Sequence, residues 1–241
     1  MRAETRHHLK QDRFSQATIG VAEKTVHWSV EHRSKLVLSS LIALLVIAAG
    51  LGSWYYLTQQ DQKASVDLTA AVRTLNTPLR PANMPAQPDN PSFASLQERS
   101  TAARKEFQQI VDKYPHTRSA DFAHYFLGLT AADLGDNAAA ERELQQVASF
   151  HNAELSSLAK FALASVYRNT SRNKQAIEQY KQLVAKPTTL VSKATAQVEL
   201  AATYQADNQP LEAKRIYQEI QKENPGTQAA QLASTKLETL K

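Results

Sequence analysis

The sequence predicts an all-α protein: one N-terminal transmembrane helix, then an α-solenoid of three to four helix pairs closed by a C-terminal end helix. Three observations predict it. Twenty-two consecutive residues, Leu36 to Leu57, carry no charge. The chain after residue 91 repeats itself with a period of 36 to 37 residues. Ala, Leu, Gln, Lys and Glu dominate a chain of 241 residues in which aromatics make up 7%, a balance that favours helices over sandwiches or barrels.

Composition also excludes chemistry. With 6 glycines and 0 cysteines, neither a Gly-rich phosphate cradle nor a disulfide, a thiolate metal site or a Cys nucleophile can be written. The formal charge of +5 is uneven: residues 1–35 hold 7 Lys/Arg against 4 Asp/Glu, and residues 58–241 hold 21 against 19. No single basic face is implied, so the expectation is no nucleic-acid partner.

The run LVLSSLIALLVIAAGLGSWYYL at 36–57 spans about 33 Å as a helix, enough for a bilayer core of about 30 Å. Trp54, Tyr55 and Tyr56 close it as an interfacial aromatic belt, and Arg33 and Lys35 flank the other end. A buried core helix would not combine such length with one aromatic end. A cleaved signal peptide would have a shorter apolar region behind a shorter basic start. The reading is an uncleaved anchor that contacts membrane lipid. Lys24, Arg33 and Lys35 precede it within 20 residues, and Lys63 and Arg73 follow within 20. With Arg2, Arg6, Lys10 and Arg13 further back, the cation rule places the N-terminus in the cytoplasm and the rest across the inner membrane, in the periplasm.

Residues 1–35 read as a basic cytoplasmic tail. Phe14, Val21 and Trp28 are spaced seven apart, and Ile19, Ala22, Val26 and Val30 form a second stripe. Both suit an amphipathic helix that lies on anionic lipid or extends the span. His27 and His32 do not share a helix face, so no metal site is expected.

Residues 58–77 read as a juxtamembrane helix. Five of the nine prolines (Pro78, Pro81, Pro85, Pro88 and Pro91) mark 78–91 as a loop or extended linker. Residues 92–241 form the repeat domain. Units starting at Asp121, Ser157 and Ala194 align Leu127, Leu163 and Leu200, followed by Gly128, Ala164 and Ala201. Ala140, Ala176 and Ala213 also align, as do Leu144, Tyr180 and Tyr217. This is the tetratricopeptide pattern with two or three residues added per junction. The small residues mark where the two helices of a unit approach most closely. Ala103, Phe107, Ile110 and Pro115 fit the second helix of a preceding partial unit whose first helix is the 61–76 segment. Residues 227–240 are the end helix, with Ala230, Leu232, Ala233, Leu237 and Leu240 as its apolar side.

No nucleophile elbow, HExxH or Ca loop occurs, so the protein is expected not to be an enzyme and to hold no cofactor and no metal. His124 reads as a packing residue, and Asp133 and Asp136 as capping groups around Gly135. Repeat arrays expose the first helices of each unit on their concave side. By register the groove comprises Phe122, Tyr125, Leu129 and Asp133, then Leu158, Phe161, Ser165, Arg168 and Asn169, then Thr195, Val198, Ala202 and Gln205. Such a lining suits an apolar or extended peptide, with Arg168 and Asn169 available for backbone or carboxylate groups. The aromatics equally suit packing between neighbouring helices.

The layout resembles the YfgM-type ancillary subunits of the Sec translocon, carried by EHRSK before the span and QQDQKASVDLTAAVRTL after it. The stretch AARKEFQQIVDKYPHTRSADFAHYFLGLTAADLGD is similar to tetratricopeptide domains of envelope-assembly proteins. The first resemblance implies a non-enzymatic periplasmic domain near SecYEG that meets emerging chains, with a membrane-anchored periplasmic chaperone as partner. The alternative is a structural component of an outer-membrane biogenesis or cell-division complex.

Overall fold

The computed structural model describes residues 33–81, 84–85 and 91–240. Residues 1–32 of the tail expected at 1–35, with its four histidines, lie outside the described residues, and residues 33–35 belong to the first helix. The chain divides into two units, residues 1–56 and 57–241.

In the first unit the described residues belong to α1 (Arg33–Leu75), whose later part belongs to the second. The apolar window of α1 is long enough to cross a membrane, and none of it is buried by protein. Leu41, Ile42, Leu45, Val46 and Trp54 are each more than half exposed. Apolar side chains in this number, with no protein cover, are compatible with a single-pass membrane anchor.

The second unit is helical throughout its described elements: the end of α1, then α2 (Leu96–Lys113), α3 (Arg118–Asp133), α4 (Asn137–Ala148), α5 (Ala153–Asn169), α6 (Asn173–Ala185), α7 (Lys193–Ala206), α8 (Pro210–Glu223) and α9 (Gln228–Thr239). Each helix from α2 on packs on its chain neighbour, and first helices of successive pairs also meet, α3 with α5 and α7 with α9. That layering makes α3, α5 and α7 one face of the array and α4, α6 and α8 the other.

Local chemistry sets the helix starts. Ser95, Thr117, Asp136, Asn152, Ser192 and Thr227 each accept a first-turn backbone N–H through the side chain. The Glu98 carboxylate reaches back to the Ala94 N–H at 2.8 Å. Neither α6 nor α8 has a side-chain cap, but α8 opens on Pro210, which has no N–H to satisfy.

The turns inside the three pairs are copies of one another. Asp136 N–H donates to Ala131 O at 2.9 Å, Arg172 N–H to Tyr167 O at 2.8 Å and Gln209 N–H to Tyr204 O at 2.8 Å. The residue just before each donor is left-handed: Gly135 at φ 76°, Ser171 at 60° and Asn208 at 56°. This is the Schellman ending, in which a positive φ turns the chain so that the next helix packs back.

Packing follows the aligned columns. Ala140, Ala164, Ala176, Ala201 and Ala213 are fully buried, as are Leu144, Tyr180 and Tyr217. Ala64 and Ala71 of α1 join Ala103, Phe107, Ile110 and Tyr114 of α2 in one cluster with Leu127 of α3. The 61–76 segment is thus the first helix of the first pair. Thr74 Oγ1 donates to Glu106 at 3.2 Å and Tyr114 Oη to Asp67 at 3.1 Å across that pair. The Pro-rich insertion leaves from its end and is closed at the base. Leu79 and Phe93 form a parallel bridge, Arg80 N–H donates to Phe93 O at 2.9 Å, and the Arg80 guanidinium to Ser92 O at 2.8 Å.

At the far end, Ala230 and Ala233 are buried and Leu237 and Leu240 pack against the core. Leu232 corrects the expected apolar side, because it is exposed. Two residues advance a helix by about 200°, which turns Leu232 away from the face shared by 230, 233, 237 and 240.

Candidate partner-binding face

The three first helices α3, α5 and α7 present the face on which the groove residues were expected. Phe122, Tyr125 and Leu129 of α3, Leu158 and Phe161 of α5 and Val198 of α7 are all partly buried and packed on the core. Each therefore seals the array with one side and leaves part of its surface exposed. Phe161 stands edge-on to Tyr180, centroids 5.5 Å apart, and Tyr125 edge-on to Phe126 at 5.3 Å. Edge-to-face pairing of this kind favours these ring orientations. Burial pushes the Tyr125 hydroxyl above its ordinary range.

The polar positions are committed to the chain's own groups more than expected. The Arg168 guanidinium donates to the Glu199 carboxylate of the next pair. Gln205 Oε1 accepts from Tyr217 Oη at 3.1 Å. Asp133 accepts from Ser100 Oγ at 3.1 Å, across from α2. Asn169, the last residue of α5, is exposed, and Thr195 is exposed near the start of α7. Beneath the Arg168–Glu199 pair lies Tyr180, fully buried, with no partner for its hydroxyl. Burial pushes that hydroxyl up to about 12, with Arg168 acting against the rise and Glu199 with it.

Further contacts tie successive pairs together. Arg172 donates to Glu141 at 2.7 Å while lying 4.5 Å from the Tyr167 ring centroid, and Tyr167 Oη donates to the same carboxylate at 3.1 Å. The Arg172 hydrogen bond, ahead of the others, holds the Glu141 carboxyl below its usual range. Arg104 pairs with Asp136 at 3.2 Å. His124 Nδ1 lies 2.9 Å from Glu143 Oε2, and that hydrogen bond is the main cause of the lowered Glu143 carboxyl. His124 thus joins α3 to α4 through a polar contact, in addition to its packing. Asp136 caps α4 as expected.

Glu199 and Tyr180 were not among the expected groove residues. Glu199 had a signal: it follows Arg168 by 31 residues, close to one repeat period. Among the described residues no group of three or more His, Cys, Asp or Glu could hold a metal ion.

Comparison with known families matches residues 27–241 to the tetratricopeptide repeat-like domain. The chain belongs to this family. No curated protein matches it. Tetratricopeptide arrays are protein-interaction scaffolds, typically without catalysis, and the half-open apolar face of α3, α5 and α7 is the kind of surface such a scaffold offers.

Proposed function

We propose that the chain is a single-pass, membrane-anchored tetratricopeptide scaffold. Its repeat domain faces the periplasm beside the Sec translocon and receives extended apolar segments of emerging or folding envelope proteins. The observation that carries this reading is the row Phe122, Tyr125, Leu129, Leu158, Phe161 and Val198. These side chains pack on the core while staying partly exposed, and Arg168 beside them is paired with Glu199. A ligand that buries them gains roughly 25 cal/mol per Å² of apolar area. Support for the location comes from the long apolar window of α1 and from the cations ahead of it. Support for the partners, SecYEG and a membrane-anchored chaperone, comes from the sequence resemblance at the two flanks of the span.

The test replaces Phe122, Phe161 and Arg168 by alanine together and measures capture of crosslinked proteins from membranes. Several-fold weaker capture with an unchanged helical circular dichroism spectrum is expected. Undiminished capture by a folded variant would move the binding site off this face. Capture of outer-membrane assembly or division proteins in place of translocon subunits would favour the assembly-component reading.

A further inference from the structure

One column of the repeat holds a polar residue in all three aligned pairs: His124 on α3, Lys160 on α5 and Gln197 on α7, spaced 36 and 37 residues apart. In two of the pairs the second helix supplies a carboxylate for it. His124 Nδ1 lies 2.9 Å from Glu143 Oε2, and Gln197 Nε2 donates to Glu219 Oε1 at 3.0 Å. The corresponding positions of α6 hold Gln179 and Gln182. The column's lysine is thus the member to which its own pair offers no carboxylate. Among the described residues Lys160 makes no ion pair and no side-chain hydrogen bond.

The space beside it is open. A cleft of about 470 Å³ lies between α5 and the end of α6, and Lys160 lines it together with Lys186 and Gln182. Ala153, Ala185 and Pro187 are its apolar walls. All three walls are exposed, as are Gln182 and Lys186, so a ligand reaches them without moving the core. Lys186 also makes no ion pair among the described residues. No Asp or Glu lines the cleft. Glu154, next to Ala153, is engaged elsewhere: its two oxygens accept from the Thr189 and Leu190 N–H groups at 3.1 and 2.9 Å. Two ammonium groups on one concavity without an acid leave a positive potential that an entering anion relieves.

We propose that this cleft receives an acidic side chain of a partner polypeptide. Its carboxylate takes the place that Glu143 and Glu219 fill in the other pairs and accepts from Lys160, Lys186 and the Gln182 amide. A bare carboxylate would leave most of the cleft and its exposed apolar walls wet. The residues flanking an acidic side chain cover those walls, which is why the occupant is a polypeptide. The α5 stripe that lines the cleft, 153, 156, 157 and 160, lies about 100° around the helix from the stripe 158, 161, 165 and 168. The site is therefore separate from the α3, α5 and α7 face, and it stands whether or not apolar segments bind there.

The test uses the full chain in nanodiscs of zwitterionic lipid with labelled alanine methyl groups. N-acetyl-Ala-Glu-Ala-amide and its Gln counterpart are titrated while the Ala153 and Ala185 methyl signals are followed. The expected result is a saturable shift of both signals with the Glu peptide and about fivefold weaker binding of the Gln peptide, the worth of one partly exposed ion pair. The preference is expected to shrink as salt is raised. In K160Q, which gives α5 the residue that α7 carries in this column, the two peptides are expected to bind alike. No shift with the Glu peptide, equal affinity of both peptides for the native chain, or a preference that survives in folded K160Q would overturn the proposal. Sodium acetate that binds as tightly as the Glu peptide would also overturn it, in favour of a small anion. So would the same shifts on adding anionic lipid to the discs without peptide, in favour of a membrane. The native-chain comparison stands even if K160Q fails to fold.

Discussion

Gly128 and Leu144 approach so closely that a Cβ placed on the glycine would lie 2.6 Å from Leu144 Cγ and 2.7 Å from its Cδ2. The other two pairs put Ala against Tyr at these positions, Ala164 with Tyr180 and Ala201 with Tyr217, and all four are buried. The column needs a small residue, and how small depends on the shape across from it. Gly128→Ala gains about 1 kcal/mol of helix propensity. It also forces Leu144 off its position, an overpacking cost of about 1–3 kcal/mol. A net loss of about 1 kcal/mol is expected in chemical denaturation. An unchanged or raised midpoint would mean that α3 and α4 do not pack in this register.

Ser171 occupies the left-handed turn position that Gly135 fills one pair earlier. A non-glycine residue there is disfavoured by roughly 1–2 kcal/mol, and a glycine gives back about half to one kcal/mol in unfolded-chain entropy. Ser171→Gly is therefore expected to stabilise the domain by about 0.5–1 kcal/mol. Thermal melts compare it with the native chain; a lower midpoint would contradict the turn geometry.

Tyr180 gives a pH signature. Its hydroxyl is raised by burial from 10.0 to about 12. A raised folded-state value means that the folded chain holds the proton where the unfolded chain has lost it. Its contribution is present in full below pH 10 and declines as pH rises towards 12. Tyr180→Phe removes that decline and the unpartnered hydroxyl, so it is expected to match or exceed the native stability at pH 7 and to show a flatter alkaline limb. Tyr217 and Tyr167 are also raised by burial, so a residual slope remains. A variant less stable than the native chain at pH 7 would place the hydroxyl in a hydrogen bond.

Much of this architecture was legible because repetition multiplies weak signals. A single Leu or Ala says little in an Ala-rich chain, but Leu127, Leu163 and Leu200 at one register fix three helix pairs at once. The first pair was readable through Ala103, Phe107 and Ile110 even with the Pro-rich insertion between its helices. The contacts joining one pair to the next were less legible. Their partners lie about one period apart: 33 residues for Ser100–Asp133 and 31 for both Glu141–Arg172 and Arg168–Glu199. No local pattern marks such a pair, because each side chain alone looks like an ordinary surface charge. For the same reason Arg168 looked available to a ligand when its fork is held by Glu199. Leu232 shows the opposite limit, where an apolar residue near a buried stripe was assigned to it although helix geometry points it outwards.

The orientation proposed for the anchor has a direct test. Protease added to cells with a permeabilised outer membrane is expected to digest the chain beyond about residue 60. An epitope on the N-terminal tail is expected to survive. Survival of the repeat domain with loss of the epitope would reverse the topology.

The central claim is that the α3, α5 and α7 face receives polypeptide segments. A photoreactive residue at Tyr125, compared in living cells with one at the exposed Lys174 on α6, tests it most directly, with mass spectrometry of the adducts. Adducts of SecYEG subunits or emerging secreted chains from position 125, and few from 174, are the predicted result. Equal labelling from both positions, or none from 125, would contradict it.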